Sequence, residues 1–368
     1  MRQGIESLLE LLRGRLSKRT FDDSDFANLL EVAEQENLLL WAAEKLRRLD
    51  AEFTPSQQKR LKEIEREAQL SSFVYTETLK STLIAFDRAG LPVIALKGPC
   101  LAERFYCDAA LRTCYDLDLL VRRSDFDRTE QLLTDLGFAP NGRADDYHRP
   151  WSRKSVNLEL HFNVENPHAF DFDIDAAWKH AERSQFHCAP VWLMAPPDEL
   201  LYLCIHGVRH RFERLCLMLD LALAFRRLPD AANAPFWGSA VFDNIYALGW
   251  MMAARLDPEL PAPQAMRISA SDRSRMEKLA DQLWQELMLA QPATLDWEAQ
   301  HRFYLEVESP GWNRLHRRWK HRRILLTRLI DDDFDFAGRF HLHRNWQVRL
   351  LRPVRLLMKS LRPAPKMM

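Results

Sequence analysis

The sequence predicts an α+β fold, in which a small mixed β-sheet is flanked by helical regions on its N-terminal and C-terminal sides. Apolar side chains recur at near-helical spacing in residues 1–90 and again from residue 196 onward. Between them, residues 91–195 alternate short apolar runs with helix-like segments, which is typical of a mixed sheet. A basic stretch follows, so we expect four regions: 1–90, 91–195, 196–310 and 311–368.

The composition is that of an ordinary globular protein. Hydrophobic residues make up 47% of the 368-residue chain and charged residues 28%. No apolar run approaches the roughly 20 residues of a membrane span, and the N-terminal stretch lacks the apolar segment and cleavage site of a signal peptide. The six cysteines form no C-x-x-C pair, which is typical of reduced thiols, so we expect a cytoplasmic protein.

Two helices are expected in the N-terminal region. The first spans residues 24–49, where apolar side chains recur at near-helical spacing. The second begins at Thr54-Pro55, a capping hydroxyl followed by a proline whose missing N–H costs little there, and ends at Gly90. We expect this region to be a scaffold packed beside the sheet.

The stretch from Leu91 to Val121 carries the densest pattern of the chain. Residues 92–96 are apolar and bounded by turn residues, which predicts a buried strand. Lys97-Gly98-Pro99 predicts a turn into a helix at about 99–107, because proline suits the first helical turn. A second strand then carries Asp116 and Asp118.

Asp116 and Asp118 are two residues apart, so a strand places both carboxylates on one face. Leu117, Leu119 and Val121 turn to the opposite face. Two neighbouring carboxylates repel each other unless a proton or a cation lies between them, and Mg²⁺ or Mn²⁺ is the natural occupant of such an oxygen-rich site. The alternative is a solvated strand face without a metal.

A further strand is expected over residues 156–162, after a helix over 124–136 that ends at Gly137. Its odd-numbered members include Glu159 and His161, which share one face while apolar residues share the other. Glu159 thus becomes a third candidate carboxylate. His161 is a candidate to orient a ligand or act as a base, or else to make a structural hydrogen bond to a carboxylate.

Helices return in the C-terminal region, with one starting at Pro196 and another over about 271–290. His206 and His210 are four residues apart on the first of these. That spacing suits zinc, but side-chain packing or a polar substrate pocket is the expected role. Asp220 lies among apolar residues and needs a partner, for which Arg209, Arg211 or a histidine are candidates.

The last 58 residues are strongly basic, whereas the chain as a whole is neutral. Residues 311–368 hold fifteen Lys or Arg and four Asp or Glu. The basic stretch at 314–323 and the mixed apolar and basic stretch at 346–362 predict an acidic partner or a membrane surface. The alternative is a solvated helix face packed on the acidic remainder. No nucleic-acid-binding motif is present.

Several short motifs between Leu91 and Phe225 together resemble the uncharacterised bacterial branch of the polymerase-beta-like nucleotidyltransferase superfamily. The matching residues are Leu96-Lys97-Gly98, Leu101-Ala102, Tyr106, Leu111-Arg112, Asp116-Leu117-Asp118-Leu119-Leu120-Val121, Glu159-Leu160-His161, Leu203-Cys204-Ile205-His206 and Asp220-Leu221-Ala222. The assembled pattern is specific, whereas D-x-D alone is weak.

The resemblance implies metal-dependent transfer of a nucleoside monophosphate, with AMP expected, from a nucleoside triphosphate to an acceptor hydroxyl. Asp116, Asp118 and Glu159 would hold Mg²⁺ or Mn²⁺ in a two-metal site. Lys97 and Gly98 would hold the triphosphate at a helix N-terminus.

Two further candidates for contact with the nucleotide are His161 and Arg112. Arg112 is expected either to reach a phosphate or to form an ion pair with Asp108 or Glu103.

The sequence departs from the wider superfamily at one position, because Gly98 is followed by Pro99 where Gly-Ser is expected. The lost hydroxyl motivates an alternative, an inactive nucleotide-binding or partner-docking protein of the same fold. The acceptor is a small molecule, a peptide or a protein. The basic tail and the context that the family implies also predict attachment to the inner face of the membrane in an envelope or polysaccharide pathway.

Overall fold

The computed structural model describes most of the chain up to residue 308 and parts of the remainder. The described residues are 4–17, 20–145, 147–167, 170–233, 239–264, 266–289, 297–308, 315, 319, 336–340, 342 and 345–360. The chain divides into two compact units, Met1–Glu308 and Ser309–Met368. The first unit contains a seven-stranded mixed sheet with helices around it, so the predicted α+β fold is confirmed.

Four helices precede the sheet: α1 (Ile5–Leu12), α2 (Asp23–Gln35), α3 (Leu39–Arg47) and α4 (Pro55–Arg88). The single helix predicted over 24–49 is wrong. Asn37 has φ 58°, a left-handed conformation that ends α2 and starts a new helix at a corner. The helix predicted from Thr54-Pro55 is confirmed, since Thr54 and Gln57 form a capping box at its start and Gly90 (φ +64°) follows its end.

The strands are β1 (Ile94–Ala95), β2 (Asp116–Leu120), β3 (Ala139–Pro140), β4 (His148–Arg153), β5 (Val156–His161), β6 (Glu182–Phe186) and β7 (Ala189–Leu193). They lie in the order β3-β4-β5-β2-β1-β7-β6. The central strand β2 runs parallel to β5 and antiparallel to β1. The two carboxylate-bearing strands predicted from the sequence are therefore direct neighbours.

Three helices connect these strands: α5 (Gly98–Phe105), α6 (Phe126–Asp135) and α7 (Ile174–His180). The helix predicted over 124–136 is confirmed apart from its first residues, because Arg123–Asp125 form a 3₁₀ turn ahead of α6. Strands β3, β4, β6 and β7 were not expected from the sequence.

The C-terminal helices of the first unit are α8 (Pro196–Arg209), α9 (Leu215–Arg227), α10 (Pro229–Ala232), α11 (Ala240–Leu256), α12 (Ala270–Leu289) and α13 (Trp297–Val307). The helices predicted from Pro196 and over 271–290 are confirmed as α8 and α12. None of the helices within the described ranges has both the length and the apolar character needed to cross a bilayer.

The second unit contains α14 (Asn345–Ser360), which carries Pro353 in its interior. Leu350, Val354 and Met358 are exposed on it at intervals of four residues, so they share one side of the helix. Of the basic stretch predicted at 314–323, only Leu315 and Trp319 lie within the described residues. The role predicted for the tail stays a prediction.

The sheet separates two hydrophobic clusters, and β2 contributes to both. Leu117, Leu119 and Val121 pack in the cluster that contains the C-terminal half of α4. Leu120 packs in the larger cluster, together with residues of α5, α8, α9 and α11. Because side chains alternate along a strand, Asp116 and Asp118 turn to the same side as Leu120, toward α8 and α9.

Candidate functional site

The pairing of β2 with β5 brings the predicted carboxylates together. Asp118 is aligned with Glu159, and Leu120 is aligned with His161 in the parallel register. The predicted alternation of β5 is confirmed for its apolar residues, since Val156, Leu158 and Leu160 are buried in the cluster on the opposite side. Two strands thus present acidic and imidazole side chains to one space, and the acidic pair comes from adjacent positions of the sheet.

Asp118, Glu159 and His161 form a compact group whose ligand atoms all lie within 4.8 Å of one another. His161 Nε2 is 3.2 Å from Asp118 Oδ1 and 3.3 Å from Glu159 Oε2. Asp118 and His161 are buried, whereas Glu159 is half-buried. Asp116, the other predicted carboxylate, is not part of this group but lies on the same face two residues away.

Opposite charges balance the buried Asp118. Burial raises the pKa of a carboxyl, but the Lys97 ammonium and the hydrogen-bonded His161 outweigh it and hold the pKa of Asp118 well below its usual range. Burial likewise opposes the charged form of His161, yet its hydrogen bonds to Asp118 and Glu159 raise its pKa to about 9. The negative charge of Asp118 raises the pKa of Asp116 to about 6. The ionisation states of Asp116, Asp118 and His161 therefore depend on one another.

Lys97 lies at the centre of the site, at the turn between β1 and α5. Its Nζ is 3.2 Å from Asp118 Oδ1 and 3.5 Å from His206 Nε2. An ammonium carries three hydrogens, so one remains for a further acceptor in the cavity. Gly98 follows with φ +68°, a conformation that disfavours other residues, and a Cβ there would lie 3.4 Å from the Asp116 carbonyl oxygen. The turn therefore brings the backbone close to β2.

Arg112 forms a two-pronged ion pair with the buried Asp220 of α9. Its Nε is 2.9 Å from Asp220 Oδ1 and its Nη2 is 2.9 Å from Asp220 Oδ2, while the Tyr106 hydroxyl donates to Oδ1 at 2.7 Å. The ion-pair partners expected for Arg112 (Asp108 or Glu103) and for Asp220 (Arg209, Arg211 or a histidine) were wrong. The expected partners of Arg112 were its neighbours in sequence, whereas Asp220 is 108 residues away and only the fold brings the two together.

A cavity of about 590 Å³ opens over this side of the sheet. Its lining includes four of the seven residues predicted for the site, namely Lys97, Arg112, Asp116 and Glu159. The remaining lining residues are Asn37, Leu38, Tyr106, Leu111, Thr113, Tyr115, His206, Arg209, His210, Glu213, Arg214, Cys216, Leu217 and Asp220. Its volume is in the range of pockets that hold one small-molecule ligand.

Asp145 and His148 form a pair beside Glu159 that sequence reasoning missed. Asp145 Oδ1 accepts hydrogen bonds from the backbone N–H groups of Tyr147 and His148, and it lies 3.0 Å from His148 Nδ1. This leaves His148 Nε2 toward Glu159 Oε1, at 3.8 Å. No sequence pattern indicated the pair, because β4 was not expected; the structure aligns His148 with His161 across the β4–β5 hairpin.

The donor set fits a divalent cation. Asp118 Oδ2 is buried and has no hydrogen-bond partner in the part of the chain that the structure describes, so it is free to bind a cation. The Asp118 and Glu159 carboxylates suit Mg²⁺ or Mn²⁺, while the neutral form of an imidazole such as His161 also binds transition metals. His206 and His210 do not join a metal-binding group among the described residues, so the zinc interpretation has no support there.

His206 lines the cavity as a neutral side chain. Burial lowers its pKa well below the usual value, and the positive charge of Lys97 lowers it further. His210 instead faces Glu213, at 3.5 Å. These positions are consistent with the polar-pocket role expected for the two histidines.

One of three comparisons with known proteins identifies the family of this chain. The family described as "Uncharacterised nucleotidyltransferase" matches residues 22–251, which is more than half of the chain and includes the whole site described above. No curated protein and no solved structure matches the chain. The resemblance inferred from the motifs is thereby confirmed, and the chain belongs to the uncharacterised nucleotidyltransferase family.

Proposed function

We propose that this protein is a metal-dependent nucleotidyltransferase, which moves a nucleoside monophosphate, with AMP expected, from a nucleoside triphosphate to an acceptor hydroxyl. One observation carries the proposal: Asp118 and Glu159 are adjacent on two parallel strands, with Lys97 beside them. Carboxylates and a cation in one cavity suit a triphosphate bound with a divalent metal. The family match supports the same class of reaction.

Asp118, Glu159 and Asp116 would hold Mg²⁺ or Mn²⁺, and His161 would orient the first two carboxylates. A bound metal of this kind supplies charge stabilisation at the transferred phosphate and lowers the pKa of an attacking hydroxyl. The third hydrogen of the Lys97 ammonium would bind a phosphate oxygen, and Gly98 would let the phosphate approach the backbone at the start of α5.

Arg112 is proposed to shape the cavity through its charge and fixed position, without binding a phosphate directly. Its pairing with Asp220 occupies Nε and Nη2, and its Nη1 lies 3.7 Å from Cys114 Sγ. A guanidinium held in this way forms a fixed wall of the cavity rather than a mobile phosphate ligand. We therefore assign it a positioning role, unlike the direct phosphate contact that was one of the two expectations.

The test is a calorimetric titration of ATP, GTP, CTP and UTP with Mg²⁺ or Mn²⁺. Wild-type protein is expected to bind at least one nucleotide only when the metal is present. Asp118→Asn is expected to lose that binding, because the variant removes a charge from the ligand set. Glu103→Gln, at an exposed carboxylate of α5, is the matched control and should bind as wild type does. Unchanged metal-dependent binding by Asp118→Asn would contradict the proposal.

A second candidate is an inactive nucleotide-binding protein of the same family. Pro99 favours it, because no hydroxyl follows Gly98 to hold the terminal phosphates. The two candidates differ in one readout, the metal-dependent release of pyrophosphate from the bound nucleotide in the presence of acceptor hydroxyl compounds. Release that disappears in Asp118→Asn supports the transferase, whereas binding without release supports the inactive protein.

A further inference from the structure

The cavity changes in character from one end to the other. The end at the sheet holds Lys97, Asp116 and Glu159, and it is dominated by charge. The far end is lined by Asn37 and Leu38 at the α2–α3 corner, by Arg214 and Leu217 at the start of α9, and by Tyr115. We call these five residues the outer pocket. It combines one aromatic ring, two leucines, one amide and one guanidinium, so it has one ionised side chain where the sheet end has three ionisable ones.

Tyr115 is an exposed aromatic residue whose backbone is held in place. Its carbonyl oxygen accepts a hydrogen bond from the Tyr75 hydroxyl at 2.7 Å and another from Asn157 Nδ2 at 3.4 Å. The residue nevertheless remains 53% exposed, although a large aromatic side chain gains by burial. Tyr115 lines the cavity together with Arg214, Cys216 and Leu217 at the start of α9. An exposed ring that lines the cavity is therefore available to a bound ligand.

The opposite wall of the outer pocket is held by contacts between distant parts of the chain. The backbone N–H of Leu215 donates to the buried Glu36 Oε2 at 2.6 Å, and Arg214 Nη1 donates to Asn37 Oδ1 at 2.9 Å. These two bonds attach the α2–α3 corner to the first turn of α9. The wall is thus fixed before any ligand binds.

The hydrogen-bonding groups of this wall are mainly donors. An arginine can only donate, so the atom of Asn37 that faces Arg214 is the amide oxygen, and the two N–H bonds of the amide remain. Arg214 itself keeps further N–H groups beyond the one that binds Asn37. Donors of this kind pair with the acceptors that a nucleobase presents, which are ring nitrogens, carbonyl oxygens or both.

A nucleotide has the same gradient as the cavity, with a charged polyphosphate at one end and a planar aromatic base at the other. We propose that the outer pocket binds the nucleobase, with the base stacked on Tyr115 and its edge facing Asn37 and Arg214. This inference rests on the proposed function and assigns a subsite within it. It also gives the N-terminal helical region, expected to be a scaffold, a direct part in ligand binding.

The experiment compares two probes, a nucleoside triphosphate and inorganic tripolyphosphate, each titrated with Mn²⁺ into wild type, Tyr115→Leu and Tyr115→Phe. A base gains affinity by stacking on an aromatic side chain, so Tyr115→Leu is expected to weaken nucleotide binding about tenfold, which corresponds to about 1.4 kcal/mol. Tyr115→Phe keeps the ring and should retain the affinity. Tripolyphosphate affinity should be the same in all three proteins, which also shows that the variants are folded.

Phe73→Ala is the matched control, since Phe73 is an exposed aromatic residue (64%) that does not line the cavity. Equal nucleotide affinity in Tyr115→Leu and wild type would overturn the outer-pocket assignment while leaving the proposed function intact. Failure of wild type to bind either probe would instead overturn the proposed function and this inference with it.

Discussion

The two ends of the cavity are built in different ways. The charged end comes from neighbouring strands, where Asp116 and Asp118 are two residues apart and Glu159 is aligned with Asp118. Apart from Tyr115, the outer pocket comes from α2–α3 and the start of α9, whose joining contacts link residues 177 and 179 positions apart in sequence. The two-residue period of a strand makes the charged end predictable from the sequence. Contacts between distant helices leave no such pattern, so the outer pocket is not predictable in this way.

A further contact between the sheet side of the cavity and α9 is the Arg112–Asp220 ion pair, and both residues line the cavity. It links the segment before β2 to α9, is largely buried and also accepts a hydrogen bond from the Tyr106 hydroxyl. A buried pair of this kind is destabilising to break, because the remaining charge is left without a partner. The relative position of the two ends therefore depends on a contact that belongs to neither.

The largest effect is expected from Asp220→Asn, which leaves the largely buried Arg112 guanidinium without a counter-charge. Removing one partner of a buried pair costs about 3–5 kcal/mol, so the free energy of unfolding should fall by that amount in urea denaturation. Asp257→Asn is the matched control, since the exposed Arg226–Asp257 pair has the same two-pronged geometry. Its loss should cost less than about 1 kcal/mol. Equal losses of unfolding free energy in the two variants would show that the Arg112–Asp220 pair stabilises the protein no more than an exposed ion pair does.

A smaller effect is expected from Glu36→Ala, which removes the acceptor for the Leu215 N–H and loosens the outer pocket. An unsatisfied buried donor costs about 1–3 kcal/mol, measurable by urea denaturation. Glu31→Ala, on the exposed side of α2, should change the free energy of unfolding by less than about 0.5 kcal/mol. Nucleotide affinity should fall in Glu36→Ala and tripolyphosphate affinity should not. A fall in both affinities would mean that the two ends do not act separately.

The smallest effect on stability is expected from Gly98→Ala, at the charged end. A left-handed conformation costs an alanine about 1–2 kcal/mol. Gly14→Ala is a close control, because Gly14 has the same φ of +68° and open space around its Cβ position. The two variants should lose similar stability, but only Gly98→Ala should weaken tripolyphosphate binding in calorimetry. Wild-type binding by Gly98→Ala would remove Gly98 from the phosphate site.

Much of the charged end was predictable from the sequence because its chemistry follows the two-residue period of a strand. Asp116, Asp118, Glu159 and His161 were each expected on the polar face of a strand, although the alignment of Asp118 with Glu159 required the structure. The fold class and α4 were predictable for a similar reason, since caps and periodicity are local signals. Residues near the site without such a pattern, such as His148, were missed.

The rest depends on contacts that no local pattern encodes. The break between α2 and α3 rests on the left-handed conformation of Asn37. An asparagine tolerates this conformation, but its presence in the sequence does not predict it. Strand β4 contains a proline and several polar residues, so its own sequence does not predict a strand. Its backbone pairing with β5 holds it in the sheet. The partner of Arg112 and the far wall of the cavity come from α9, more than 100 residues away.

The most direct test of the central claim is a titration of Mn²⁺ into the protein without nucleotide, followed by the electron paramagnetic resonance signal of free Mn²⁺. Wild-type protein is expected to deplete that signal by binding the ion at Asp118 and Glu159. Glu159→Gln should bind at least tenfold more weakly, while Glu103→Gln should match wild type. Equal depletion by wild type and Glu159→Gln would contradict the claim that these strands hold a catalytic metal.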